Sequence, residues 1–234
     1  LKNPNSLTIN GSEYDGSNAV SLTIDIDSKM NSNNPVGTGF FSMNRKVSTH
    51  IGDYSHAEGK DTTASGIASH AEGSGTTAFG SASHAEGSKT TASGGASHAE
   101  GVGTTATGVA SHAEGYYTTA YGYATHAEGY STNKIPEDVT RNSTIDEIIE
   151  AWNQSKFLLA RVPNGLVDTT AHAEGLDTLA IASCSHAEGR ETIASGSYSH
   201  AKGQRTTASG YASHAEGDHT TASGGNSHAE GDHT

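Results

Sequence analysis

One phrase of 14 residues, S-H-A-E-G-x-x-T-T-A-S-G-x-A, recurs from Ser55 almost to the end of this 234-residue chain. Its histidines stand at 56, 70, 84, 98, 112 and 126, and again at 172, 186, 200, 214 and 228. All eleven copies keep the histidine. Ten keep the glutamate two places on, and Lys202 replaces it once. A short, strict period means that each copy is one unit stacked on the next, with atypical units at the ends. Phe41 to Arg45 align with Ser55 to Gly59, and Gly52 with Gly66, as a degenerate first copy that predicts a capping coil. From His126 to His172 the distance is 46 residues, one 14-residue step plus 32 extra.

Each copy divides into two similar sevens, SHAEGxx and TTASGxA, which raises the question of a helical heptad. Two glycines per copy would each cost a helix roughly 1 kcal/mol, and the seam would lack the Leu or Ile of a coiled coil. Short strands ended by glycine-marked turns fit instead. The expected fold is all-β: a parallel β-solenoid (β-roll) with 14 residues and two short strands per coil, successive coils about 4.8 Å apart, and one α-helical insertion. Strand alternation assigns faces. Ser and Ala of SHAEG, with the first Thr and Ala of TTASG, form a small-residue face. His, Glu, the second Thr and Ser form the larger polar face.

Composition bounds what holds such a roll together. Leu, Ile, Val and Phe number 31, about 13% of the chain, and the net charge is −13. Without the repeat, those values would read as disorder. Order must come from backbone ladders, small-residue packing and lateral association, so a parallel homotrimer is expected. The acidic balance excludes nucleic acid as a partner, and no apolar run reaches the ~18 residues of a membrane span. The lone Cys184 has no disulfide partner in the chain.

The repeated pairs are His56–Glu58, His70–Glu72, His84–Glu86, His98–Glu100, His112–Glu114, His126–Glu128, His172–Glu174, His186–Glu188, His214–Glu216 and His228–Glu230. A stack of unpaired glutamates would repel, so each needs a hydrogen-bonded partner, and a histidine is nearest. The favoured reading is a His–Glu network at an intersubunit or intercoil contact; the alternative is a solvated polar face. Catalysis is not expected. Ser55 and His56 point to opposite faces and cannot act together, and the many carboxylates single out no glycosidase-like pair. Calcium rolls need regular turn aspartates, absent here. No metal and no cofactor are expected, because there is no His-x-His pair and a glutamate already offers each ring a partner.

Four segments follow: residues 1–40, a β-hairpin or joint with strands at Ser6 to Asn10 and Ala19 to Ile26; 41–131, roll; 132–167, a helix-containing insertion; and 168–234, roll again. Within the insertion, Asn142 or Ser143 is placed to cap a helix carrying Ile145, Ile148, Ile149 and Trp152 at helical spacing. Tyr116, Tyr117, Tyr121, Tyr123 and Tyr130 crowd the two coils before it. With Trp152 they mark either the seat on which the helix docks or a host-contact patch. Tyr116 and Tyr130 hold the same turn position one coil apart and should stack.

The period and the S-x-A-x-G strands resemble the head repeats of trimeric autotransporter adhesins, the YadA-like heads. That resemblance implies left-handed parallel β-rolls assembled as trimers, although those heads carry apolar residues where His70 and Glu72 stand here. Runs of SHAEG separated by TTASG also look like tail-fibre and tail-appendage proteins of phages and prophages, as does the opening from Ser6 to Asp25. The implied role is a non-enzymatic structural and adhesive part of a phage or phage-like tail, on the virion and outside the cell. Its partners would be other tail or baseplate proteins and a polysaccharide or protein receptor on the host surface. The alternative is the head of a bacterial cell-surface adhesin.

Overall fold

The computed structural model describes residues 51–140, 142–161 and 170–234, together with the backbone of three earlier strands. The chain divides into two compact units, Leu1–Ser32 and Asn33–Thr234. In the first, β1 (Leu7–Ile9) pairs antiparallel with β2 (Ser12–Tyr14). Only Asn10-Gly11 separates them, a dipeptide suited to a two-residue hairpin loop. The strand expected at residues 19–26 lies outside the described residues.

The second unit is a parallel β-solenoid. Its eleven SHAEG segments and one earlier strand form a sheet of twelve, and its Thr-Ala segments with their Leu-Ala and Ile-Ala counterparts a sheet of ten, ordered by coil. Neighbours pair in register, one repeat apart: His98 against His112, Ala99 against Ala113, Thr105 against Thr119. The terminal strand of the larger sheet is β3 (Phe41–Met43), where Phe41 sits opposite His56. The sequence alignment set Phe41 against Ser55, one residue out. Gly52 does stack on Gly66 as aligned. The first coil therefore holds one residue more than 14, between Met43 and Gly52, and a fixed step cannot register it.

The small face is the interior. Ser69, Ala71, Thr76 and Ala78 of one coil are buried, and their equivalents repeat along the roll. Alanines buy little apolar burial, so the ladder hydrogen bonds carry much of the order. Buried serines satisfy a corner: Ser69 Oγ donates to the Gly66 carbonyl at 2.8 Å, and Ser97 Oγ to that of Gly94 at 2.7 Å. The two glycines of a coil have different reasons. Gly73 has φ +107°, which suits glycine. Gly94 has no such φ, but a Cβ there would lie 1.9 Å from the Gly108 carbonyl oxygen, so the coils can stack only if it is absent.

The helix, α1, spans Ile145–Gln154. Its cap is Thr144 rather than Asn142 or Ser143, and Thr144 with Glu147 forms a reciprocal capping box. Within the span expected as insertion, Leu159–Ala160 pairs with Thr119–Ala120 before it and Leu179–Ala180 after it. Leu158, Leu159 and Ala160 thus stand where other coils have Thr-Thr-Ala. Of the 32 extra residues, 26 precede this strand and six follow it.

Helix α1 packs on the outer face of the smaller sheet. Ile148 and Trp152 are buried against Phe157, Leu159, Leu179, Ile181 and Ile193, with Tyr121 partly buried at the edge. The Trp152 indole N–H donates to the carbonyls of Phe157 (3.0 Å) and Asp177 (3.1 Å), and the Lys156 ammonium lies over its ring. Ser131 marks the exit from the regular coil: its Oγ accepts from the Leu158 amide at 2.9 Å and donates to the Asn133 carbonyl at 2.6 Å. No described helix is long and apolar enough to cross a membrane.

Candidate functional site

On the larger sheet, the histidine and glutamate of the SHAEG strands project outward two residues apart, most of them half-exposed. Parallel pairing at a constant register stacks like on like. From His56 to His200 the imidazoles form one column, with ring centroids 4.6–4.9 Å apart and planes within 9° of parallel. The column then changes: the rings of His200 and His214 meet at 85°. Beside it runs an open groove of about 1000 Å³, lined by Glu58, Glu72, Glu86, Glu100, Glu114, Glu128 and Glu174 and by the glycines that follow them.

The rings do face the carboxylates, yet loosely. Nε2 to Oε separations within a coil are 3.4 Å for His56–Glu58, 3.6 Å for His70–Glu72, 3.4 Å for His126–Glu128, 3.5 Å for His172–Glu174 and 3.5 Å for His214–Glu216. Hydrogen bonds of this kind close to 2.7–3.2 Å. The Nε2 atoms of His70, His84, His98, His112, His126, His172, His186 and His200 are shielded from solvent with no hydrogen-bond partner. Burial, then the stacked neighbouring rings, lowers the pKa of His98 and His112. Burial and the rings on both sides do the same to His70, His172 and His200.

The glutamates answer one another. Hydrogen bonding with Glu100 and Glu72, then burial, pushes Glu86 up to about 7, and bonding with Glu100 and Glu128 pushes Glu114 up to about 7. Glu100, bonded by Glu114 and Glu86, is held below the ordinary carboxylate range. The raised Glu86 and Glu114 thus alternate with the lowered Glu100 and Glu128, as when neighbouring carboxyls one strand spacing apart share a proton. Lys202 interrupts this row after the insertion, with its ammonium 3.2 Å from Glu188.

The tyrosines separate. Tyr116 and Tyr130 stack along the roll with centroids 4.9 Å apart, and Tyr117 tilts against Tyr116. Tyr123 and Tyr130 are exposed, whereas Tyr121 and Trp152 join the cluster under α1. The seat of the helix is mainly Leu159, Leu179, Ile181 and Ile193. The signal was present in the repeat itself: these are the outward positions where other coils carry Thr or Ser.

A family model, the YadA head domain repeat in two copies, matches residues 57–83, 99–125, 187–213, 201–227 and 215–234. The coils are similar to YadA head repeats. The matches fall on both sides of the insertion, and each of 27 residues spans nearly two coils. No curated protein matches the chain. YadA-like repeats are adhesin-head modules, and the array shares their period with His and Glu set on its outer face.

Proposed function

We propose that this chain is a non-enzymatic adhesive and structural rod, three copies of which associate in parallel through their His–Glu faces. The carrying observation is that the sheet bearing this face continues through the insertion from coil to coil, whereas α1 covers the outer face of the smaller sheet. A contact that extends along a rod needs a surface that repeats along it, and a roll with an alanine interior gains burial by lateral association. The YadA-like repeats favour a head on a bacterial surface. The SHAEG–TTASG runs and the opening from Ser6 to Asp25 favour the same rod as a fibre or appendage of a phage tail, bound to other tail or baseplate proteins. In both settings it presents a surface to a host receptor, polysaccharide or protein. The exposed Tyr123 and Tyr130, with Tyr116 and Tyr117 beside them, are the proposed contact, since tyrosine offers both an apolar face and a hydroxyl.

Light scattering on the intact chain tests the assembly: the expected mass is three times 23.9 kDa, and a monomer mass would overturn it. Tyr130→Ala tests the contact separately. Lost cell binding with unchanged melting is expected, and unchanged binding removes the tyrosines from the proposal.

A further inference from the structure

We infer that His126 Nε2, a Glu128 carboxylate oxygen and His172 Nε2 form a binding site for a zinc-class divalent metal ion. These donor atoms all lie within 4.8 Å of one another. Both ring nitrogens are shielded from solvent and neither has a hydrogen-bond partner, so the carboxylate that the sequence offers as a partner does not satisfy them. The His126–Glu128 separation of 3.4 Å is too long for a good hydrogen bond. It is the separation of two ligands held tetrahedrally about 2.1 Å from one zinc ion, which places them roughly 3.4 Å apart. Two imidazoles, a carboxylate and an open fourth position suit zinc.

The rings of His126 and His172 are stacked 4.7 Å apart and 9° from parallel, so one must tilt for both to reach the ion. The turned rings of His200 and His214 show that the column tolerates it. Two similar triads compete less well. In His186–Glu188–His200 the carboxylate is taken by the Lys202 ammonium. His172–Glu174–His186 shares His172, whose Nε2 serves one ion at a time. All three donors belong to one chain, so the site does not depend on the association proposed above. They come from the coils on either side of the insertion, and an ion there would fasten those coils together.

Isothermal titration of zinc into the chelator-stripped intact chain tests the site. One tight equivalent is expected. His172→Ala should abolish it, Glu128→Gln should weaken it at least tenfold, and His219→Ala, in a half-buried turn outside the column, should leave it unchanged. Zinc should raise the melting temperature of the native chain and not of Glu128→Gln. Glu128→Gln preserves shape, so matching metal-free melting curves separate ligand loss from misfolding. Weak binding of many equivalents, or tight binding indifferent to His172→Ala, overturns the site.

Discussion

From Ser55 to Tyr130 the roll is built on alanine, serine and threonine; from Phe157 to Ile193 it also carries phenylalanine, leucine and isoleucine beneath a helix. Both stretches use the same ladders at the same register. The first has cohesion that is even from coil to coil and resides in backbone hydrogen bonds. The second adds a conventional apolar cluster, local and cooperative, at the point where the repeat is broken. In a quasi-one-dimensional array each coil contacts only its neighbours, so the two kinds of cohesion should fail independently. Trp152→Ala breaks the second kind. It removes the largest buried ring and both indole hydrogen bonds. The expected loss is ~3–5 kcal/mol in the docking of α1. Hydrogen exchange should then show amides of residues 145–154 deprotected while those of His98 and Ala99 keep their protection. Equal deprotection along the roll would mean that the two regions are one cooperative unit.

The glutamate row differs between the regions as well. Before the insertion it contains no cation, and Glu86 is pushed up to about 7 by its glutamate neighbours. After the insertion, burial opposes the ionisation of Glu188, but the hydrogen bond and charge of Lys202 carry its carboxyl below the ordinary value. For a raised carboxyl, the folded state keeps its proton while the unfolded chain loses it. Stability from Glu86 is therefore lost as pH rises from 4.5 to about 7. Glu100, depressed, acts oppositely: its contribution is present above the unfolded value and lost as pH falls through the folded one. Glu86→Gln keeps a donor for Glu72 and Glu100 without the ionisable proton. Its melting temperature should exceed that of the native chain at pH 8 and converge with it near pH 4. Parallel melting profiles across that range would show that the row does not share protons.

Much of the even region is legible in the sequence because its physics is periodic. The 14-residue step sets the coil, glycine rules out the helix, and alternation sorts Ser, Ala and Thr onto one face and His and Glu onto the other; that the small face is the interior is seen in the structure. The uneven features depend on single residues. The cap at Thr144 follows from a Thr-x-x-Glu box that neighbouring Asn142 and Ser143 obscure. The docking surface was written at Leu179, Ile181 and Ile193, but only as departures from Thr and Ser that a consensus averages away. The first coil, one residue longer, cannot be registered by counting fourteens. Nor does spacing tell how closely a carboxylate approaches an imidazole two residues away; here the separations are 3.4–4.0 Å, longer than a good hydrogen bond.

The smallest effect concerns what fills the interior. At the position of the first Thr, the hydroxyls of Thr62, Thr76, Thr90 and Thr104, and after the insertion of Thr178, Thr192, Thr206 and Thr220, are buried without a hydrogen-bond partner. Thr118 differs, donating to the Glu114 carbonyl at 2.9 Å. In the coil interrupted by the insertion the same position is Leu158, fully buried. The interior thus accepts an apolar side chain, and a threonine there leaves a polar group unsatisfied. Replacing such a group by an apolar one of the same shape removes its desolvation cost, about 1 kcal/mol. Thr90→Val should accordingly raise the urea midpoint at unchanged slope. Thr118→Val loses a real hydrogen bond and should show no gain. If both variants are destabilised alike, the Thr90 hydroxyl has a partner, and the even region is held by side-chain bonds as well as by its ladders.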